Sequence, residues 1–394
     1  MNIKKHTNIE EISACIIKCM KPLLCIEYFY GIFRSRLSGR SSDPINLRMK
    51  ILGMAITVIW LTLFISALAY SAISLKTVFQ ADDNTCFVLV GVTYAGSVIN
   101  LVLHAKKNQK VIEILAGVDI ALFVSVDRNV YKMSFRKCKI FFIIYILHCL
   151  ACIALCFYIP GGGNKIAQFF FTLIYFERKI EMVVFCQYLY MVEQRLLLIK
   201  NYLSKLTYDR NYDMFVNNTN SKVDFNFIGH ISANNYKIRE LARVYSKIGK
   251  VSMLLNDIFN FFLMTALAAA FILIIIVVWS VLSEYKYMKT YVWSLPMIFY
   301  IYVELSSIIL ISWYCENLVA VKNVLYNLLC RITSQENLPL SMRCQANAFV
   351  NLTETWQLTI NVFHMFDVNL QLILKFISIC TSYLIVAIQI SRLV

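Results

Sequence analysis

The chain is 394 residues long, 59% hydrophobic and 15% charged, with a mean hydropathy of +0.64 and a formal net charge of +15. A soluble chain of this length carries about 25% charged residues, so a soluble globular fold is excluded. The basic excess lies between apolar blocks, where it serves membrane topology and not nucleic-acid binding.

The first 21 residues hold four Lys and two Glu with no sustained apolar run, which does not read as a cleavable signal peptide. Residues 1–50 are therefore expected to form a cytoplasmic N-terminal segment, and residues 51–394 a single membrane domain. Ile51–Leu75, Cys86–Leu103, Ile140–Pro160 and Ile258–Leu282 carry no charge, and each is long enough to cross the hydrocarbon core as a helix. Tyr291–Cys315 carries one carboxylate, Glu304. Phe376–Ser391 is short alone, and residues 368–375 extend it. The remaining span, 166–192, is interrupted by Glu177, Arg178, Lys179 and Glu181. Intramembrane charges are tolerated when they face protein and pair, and the i,i+3 spacing of Arg178 and Glu181 permits a pair. A structural ion pair is preferred over an ion or proton pathway. The expected fold is all-α with seven transmembrane helices, near 51–75, 86–103, 140–160, 166–192, 258–282, 291–315 and 370–391.

Lys and Arg accumulate in cytoplasmic loops. With the N-terminus inside, segments 1–50, 104–139, 193–257 and 316–367 hold 30 of them and the outer segments 5. The expectation is an N-terminus in the cytoplasm and a C-terminus outside. "GGGNK" at 161–165 reads as a tight outer turn. Segment 193–257 runs with helical periodicity into the fifth span. Residues 339–367 also read as helix, with Phe349, Leu352, Trp356, Ile360 and Phe363 forming an apolar stripe. The stripe suggests inner helix extensions that pack together below the membrane. Most of the 13 Cys lie in spans or on the reducing side, with Cys86 and Cys156 near the outer face, so disulfides are not expected.

Enzymatic chemistry finds no residues. His6, His104, His148, His230 and His364 are scattered, so no metal site is expected. No phosphate-binding or nucleophile-elbow motif occurs, and no cofactor is implied. The inverted topology, and Asp127-Arg128-Asn129 lying before the third span, argue against a G-protein-coupled receptor.

Seven inverted helices, about 400 residues and a long inner loop before the fifth helix resemble the insect gustatory receptors, within the insect chemoreceptor superfamily. Their seventh-helix signature is Thr-Tyr, five apolar residues and Gln-Phe. Here Ser382-Tyr383 precedes "LIVAI" and then Gln389-Ile390, so Ser replaces Thr and Ile replaces Phe. The resemblance implies a tastant-gated, non-selective cation channel in the plasma membrane of sensory neurons. Assembly would be a homotetramer, or a heterotetramer with related receptors, anchored through the cytoplasmic helix extensions. Its partners would be a small-molecule tastant and membrane lipid, with no nucleic acid and no G protein required. It places Ser382, Tyr383, Val386, Gln389 and Ile390 at the pore and gate, Ile390 as constriction and Gln389 as polar ring. The alternative for Gln389 is a bond to a neighbouring helix. Pocket candidates in the outer half are Thr93, Tyr94, Gln168, Tyr175, Trp279, Tyr300 and Glu304, aromatic and polar groups suited to small amphiphiles. Glu304 stands out because an unpaired intramembrane carboxylate is costly. Leu384 takes the place of the acidic residue that follows Thr-Tyr in the sugar-sensing branch, which favours bitter plant compounds. An odorant receptor of the same superfamily and a seven-helix transporter are the alternatives.

Overall fold

The computed structural model describes residues 2–35, 46–74, 80–122, 124, 129–158, 165–208, 237–287, 294–336 and 338–391. The described residues are almost wholly helical: α1 (Asn2–Phe29), α2 (Leu47–Ser74), α3 (Gln80–Ala121), α4 (Asn129–Tyr158), α5 (Lys165–Tyr208), α6 (Lys237–Tyr287), α7 (Ser294–Ser334), α8 (Leu340–Thr355) and α9 (Leu370–Ser391). Six of these, α2 to α7, are long and apolar enough to cross a membrane, and Leu370–Val386 of α9 is a shorter apolar helix. The expected spans fall on these seven helices, except for residues 75, 159–160 and 291–293, which lie outside the described residues. The "GGG" turn and the side chains of Cys86 and Cys156 lie outside the described residues.

The helices run well past the bilayer length. α5 spans 44 residues and α6 51, against the roughly 20 needed to cross. No Pro or Gly occurs in α5, so nothing breaks the helix at its charged middle. The outward faces of α2 and α4 keep Ile51, Val58, Ile65, Ile143, Leu147 and Leu150 exposed, as lipid contact requires. α5 is the reverse case. It is packed by α1, α2, α3, α4, α6 and α7 and is the most buried of the spans.

The N-terminal segment contributes more than topogenic charge. α1 buries Ile12, Ile16, Met20, Leu23 and Leu24 against α3, α4 and α5 within the main core. Its chain then turns at Gly31, whose φ is +81°. A Cβ at Gly31 would lie 2.7 Å from the Gly53 carbonyl oxygen of α2, so both the conformation and the close approach require glycine. That turn sends Arg34 back into the bundle.

Residues 339–367 depart from the expected continuous helix. α8 ends at Thr355, and Asn361–Val362 (β1) pairs antiparallel with Phe366–Asp367 (β2). The reason is periodicity. Beyond the helix the buried residues are Leu358, Ile360 and Val362, an alternation of two that suits extended chain and not helix. The turn Phe363-His364 has both φ values positive, 47° and 59°, the signs of the central residues of a type I′ turn. Asn260 of α6 holds it by accepting from Phe363 N–H at 2.7 Å.

Candidate functional site

The charged middle of α5 points two ways. Consecutive helical residues are about 100° apart, so Glu177 and Glu181 share one face while Arg178 and Lys179 turn toward α7. The expected Arg178–Glu181 pair does not form. Arg178 Nη2 donates instead to Glu304 Oε1, and Lys179 Nζ donates to Glu304 Oε2 at 2.8 Å and to Ser307 Oγ at 3.1 Å. Glu304 is therefore a doubly paired carboxylate joining α7 to α5, not the unpaired group its sequence setting suggests. Tertiary partners win over the local pair because two cations compensate one buried anion better than one.

On the other face, Arg34 Nε donates to Glu27 Oε1 at 2.7 Å and Arg34 Nη2 to Glu181 Oε1 at 3.0 Å. The guanidinium also stacks over Phe259 of α6, 4.8 Å from the ring centroid, a contact that suits its planar charge. One residue from the N-terminal segment thus ties α1, α5 and α6 together inside the bundle.

Three of the pocket candidates converge. The rings of Tyr175 and Tyr300 meet edge to face at 5.3 Å, with Phe171 beside both. The Tyr300 hydroxyl is 3.2 Å from Thr172 Oγ1. Arg178 and Lys179 lie over the Tyr175 ring at 5.5 and 5.1 Å, so the Glu304 pair floors an aromatic wall. The other four candidates lie apart from it. Tyr94 is buried toward α1, its hydroxyl donating to the Tyr30 carbonyl at 2.7 Å. Thr93 donates to Val90 O within α3. Gln168 and Trp279 are half-buried, and among the described residues no ring contact or hydrogen bond joins their side chains to this cluster. Sequence reasoning missed Tyr30, Phe171 and Tyr145. The aromatic run 169–176 was the available signal for Phe171; Tyr30 had none, because its segment read as a cytoplasmic stretch outside the bundle.

α9 divides cleanly. Ile373, Phe376 and Cys380 pack on Ala270, Ile274 and Ile308 of α6 and α7. Tyr383 flanks that face, its ring edge to face with Phe271 at 5.3 Å. Ser382, Val386 and Gln389 are exposed and fall within an arc of about 60° on the far side. Ile390 is helical. An amphipathic helix held to its bundle along one face and presenting hydroxyl, apolar and amide groups along the other can line an aqueous path if copies meet about an axis.

A family model described as 7tm Chemosensory receptor matches residues 21–392. Among solved structures, the insect olfactory receptor OR5 from Machilis hrabei aligns with a TM-score of 0.65 at 12% identity, covering 95% of this chain and 98% of that one. The same receptor in complex with eugenol aligns with a TM-score of 0.62, at the same identity and coverage. At this identity the likeness is one of fold. No curated protein matches the sequence.

Proposed function

The chain belongs to the 7tm chemosensory receptor family, and on that premise we propose that it is a gustatory receptor acting as a tastant-gated, non-selective cation channel. The observation that carries this reading is the division of α9, with Phe376 and Cys380 buried against α6 and α7 and Ser382, Val386 and Gln389 exposed on the opposite side. Four copies about an axis would turn that exposed face inward, where the Gln389 amides meet water and Ile390 narrows the path. The charge bias puts the N-terminus and the helix extensions in the cytoplasm and the end of α9 outside. The extensions of α5 to α8 form the inter-subunit anchor, in the plasma membrane of sensory neurons.

Ligand binding is assigned to the Tyr175–Tyr300–Phe171 wall. Rings with a hydroxyl and a paired charge behind them suit a small amphiphile, and the related olfactory receptor is solved with eugenol. Leu384, in place of an acidic residue, favours bitter plant compounds over sugars.

The test is whole-cell recording from cells expressing this chain alone, with tastant and volatile panels. A rapid ligand-evoked current with little selectivity among Na⁺, K⁺ and Cs⁺ is expected. Saturable substrate uptake without such current would assign a transporter instead, and activation by volatiles alone an odorant receptor.

A further inference from the structure

The ion pairs of α5 leave one carboxylate out. Glu177 is 1% exposed, and among the described residues neither of its oxygens has a hydrogen-bond partner. Glu27 Oε2 and Glu181 Oε2 are equally bare, because Arg34 engages only the other oxygen of each. Two buried carboxylates thus share one guanidinium while Glu177 has none, and four acceptor oxygens remain unfilled.

The neighbours do not close this gap. The charged groups in electrostatic reach of Glu177 are Glu181, Glu27, Arg34 and Arg178. Arg178 is committed to Glu304 through Nη2, and its Nη1, also buried, has no acceptor. The phenols in electrostatic reach of Glu177 include Tyr30, Tyr94 and Tyr145. The first two direct their hydroxyls at the Leu173 and Tyr30 carbonyls, at 2.9 and 2.7 Å. Tyr145 OH lies 3.3 Å from Tyr30 OH, and its ring stands edge to face with Phe176 at 5.7 Å. The surroundings are therefore rich in acceptors and aromatic rings and poor in donors. An uncompensated carboxylate in such a place is strongly unfavourable, and an intramembrane one points to function.

We propose that Glu177, with the bare oxygens of Glu27 and Glu181, is a binding site for a hydrogen-bond-donating cation at the junction of α1, α3, α4 and α5. Either of two sources supplies that chemistry: a proton, or the ammonium head of a protonated amine resting against the Tyr30, Tyr145 and Phe176 rings. The site is separate from the Tyr175–Tyr300 wall. Its effect on current rests on the receptor reading above; binding itself does not.

Purified full-length protein in lipid nanodiscs provides the test, by thermal unfolding with benzylamine against benzyl alcohol and cyclohexylamine against cyclohexanol. For the wild type, the amines at saturating concentration raise Tm by about 2–4 °C and the alcohols do not. The rise disappears in Glu177→Gln and persists in Glu177→Asp. If amines are silent but acidification from pH 7.5 to 5.5 raises the wild-type Tm relative to Glu177→Gln, the proton is the guest. Wild type and Glu177→Gln responding alike to both amines and acid overturns the proposal. Should Glu177→Gln fail to fold, dicyclohexylcarbodiimide labelling of wild-type Glu177, read by mass spectrometry, decides. Labelling that amine or a pH change suppresses supports the site, and a label indifferent to both refutes it. In cells, neutral tastants should gate both proteins while amine or acid gates only the wild type. Absence of current from every ligand would count against the receptor reading and leave the Tm result standing.

Discussion

Tyr383 meets Phe271 edge to face, ring centroids 5.3 Å apart, and so fixes the last helix to α6 just below its exposed polar face. Such pairs contribute about 0.5–1.5 kcal/mol beyond their buried area. Tyr383→Ala and Phe271→Ala should each weaken the seat of α9 and shift the concentration–response curve. The double variant should add little to either single, since both remove one contact. Additive shifts would show that Tyr383 acts elsewhere.

Gln389 is exposed on the side of α9 away from the bundle. Gln389→Ala should change single-channel conductance or open probability and leave surface expression unaltered, because an exposed side chain contributes little to the fold of the subunit. Unchanged currents would remove Gln389 from the pore.

Arg195 grips Asp119 with Nε and Nη2 at 2.8 and 2.7 Å, and Tyr131 donates to the same carboxylate at 2.8 Å. Both charged residues are fully buried. Asp119→Ala should cost about 3–5 kcal/mol by stranding the guanidinium. Asp119→Leu with Arg195→Met should recover most of that loss. Thermal unfolding of the solubilised protein checks both.

A Cβ at Gly249 of α6 would fall 2.5 Å from Trp356 Cδ2 at the end of α8. Gly249→Ala should destabilise by about 1–3 kcal/mol, despite the better helix propensity of alanine. Adding Trp356→Leu should relieve the overlap. A neutral Gly249→Ala would mean that α8 sits further from α6.

Cysteine labelling tests the orientation. Cys344 is exposed and Cys19 buried. Burial pushes the Cys19 thiol up to about 12 against the pull of nearby Arg195, so at pH 8 only about one molecule in ten thousand holds the thiolate. A variant retaining only these two should react with an impermeant maleimide at Cys344 alone, and only after permeabilisation. Labelling of intact cells would place that side outside.

Apolar runs in the sequence marked six helices long and apolar enough to cross, with a shorter apolar seventh, because crossing hydrocarbon is a local demand that each segment must meet by itself. The same reading took residues 1–50 as a cytoplasmic segment and assigned them no part in the core. Their apolar positions, Ile12, Ile16, Met20 and Leu23, have helical spacing, but the long charged side chains between them masked it. The pairing of Arg178 followed the same limit: spacing named Glu181 as its neighbour, and Glu304, 126 residues away, took it.

What the sequence determined by itself was the membrane class, the all-helical architecture and the Tyr383–Gln389 motif. Only the tertiary structure decided which face of α9 is held and which is free, that Glu304 is neutralised by Arg178 and Lys179, and that no described residue hydrogen-bonds the Glu177 carboxylate. Hydrophobicity and loop charge are summed along the chain and can be read there. Ion pairing in a buried core depends on which side chains from distant helices arrive at one point, and that geometry exists only once the helices have packed.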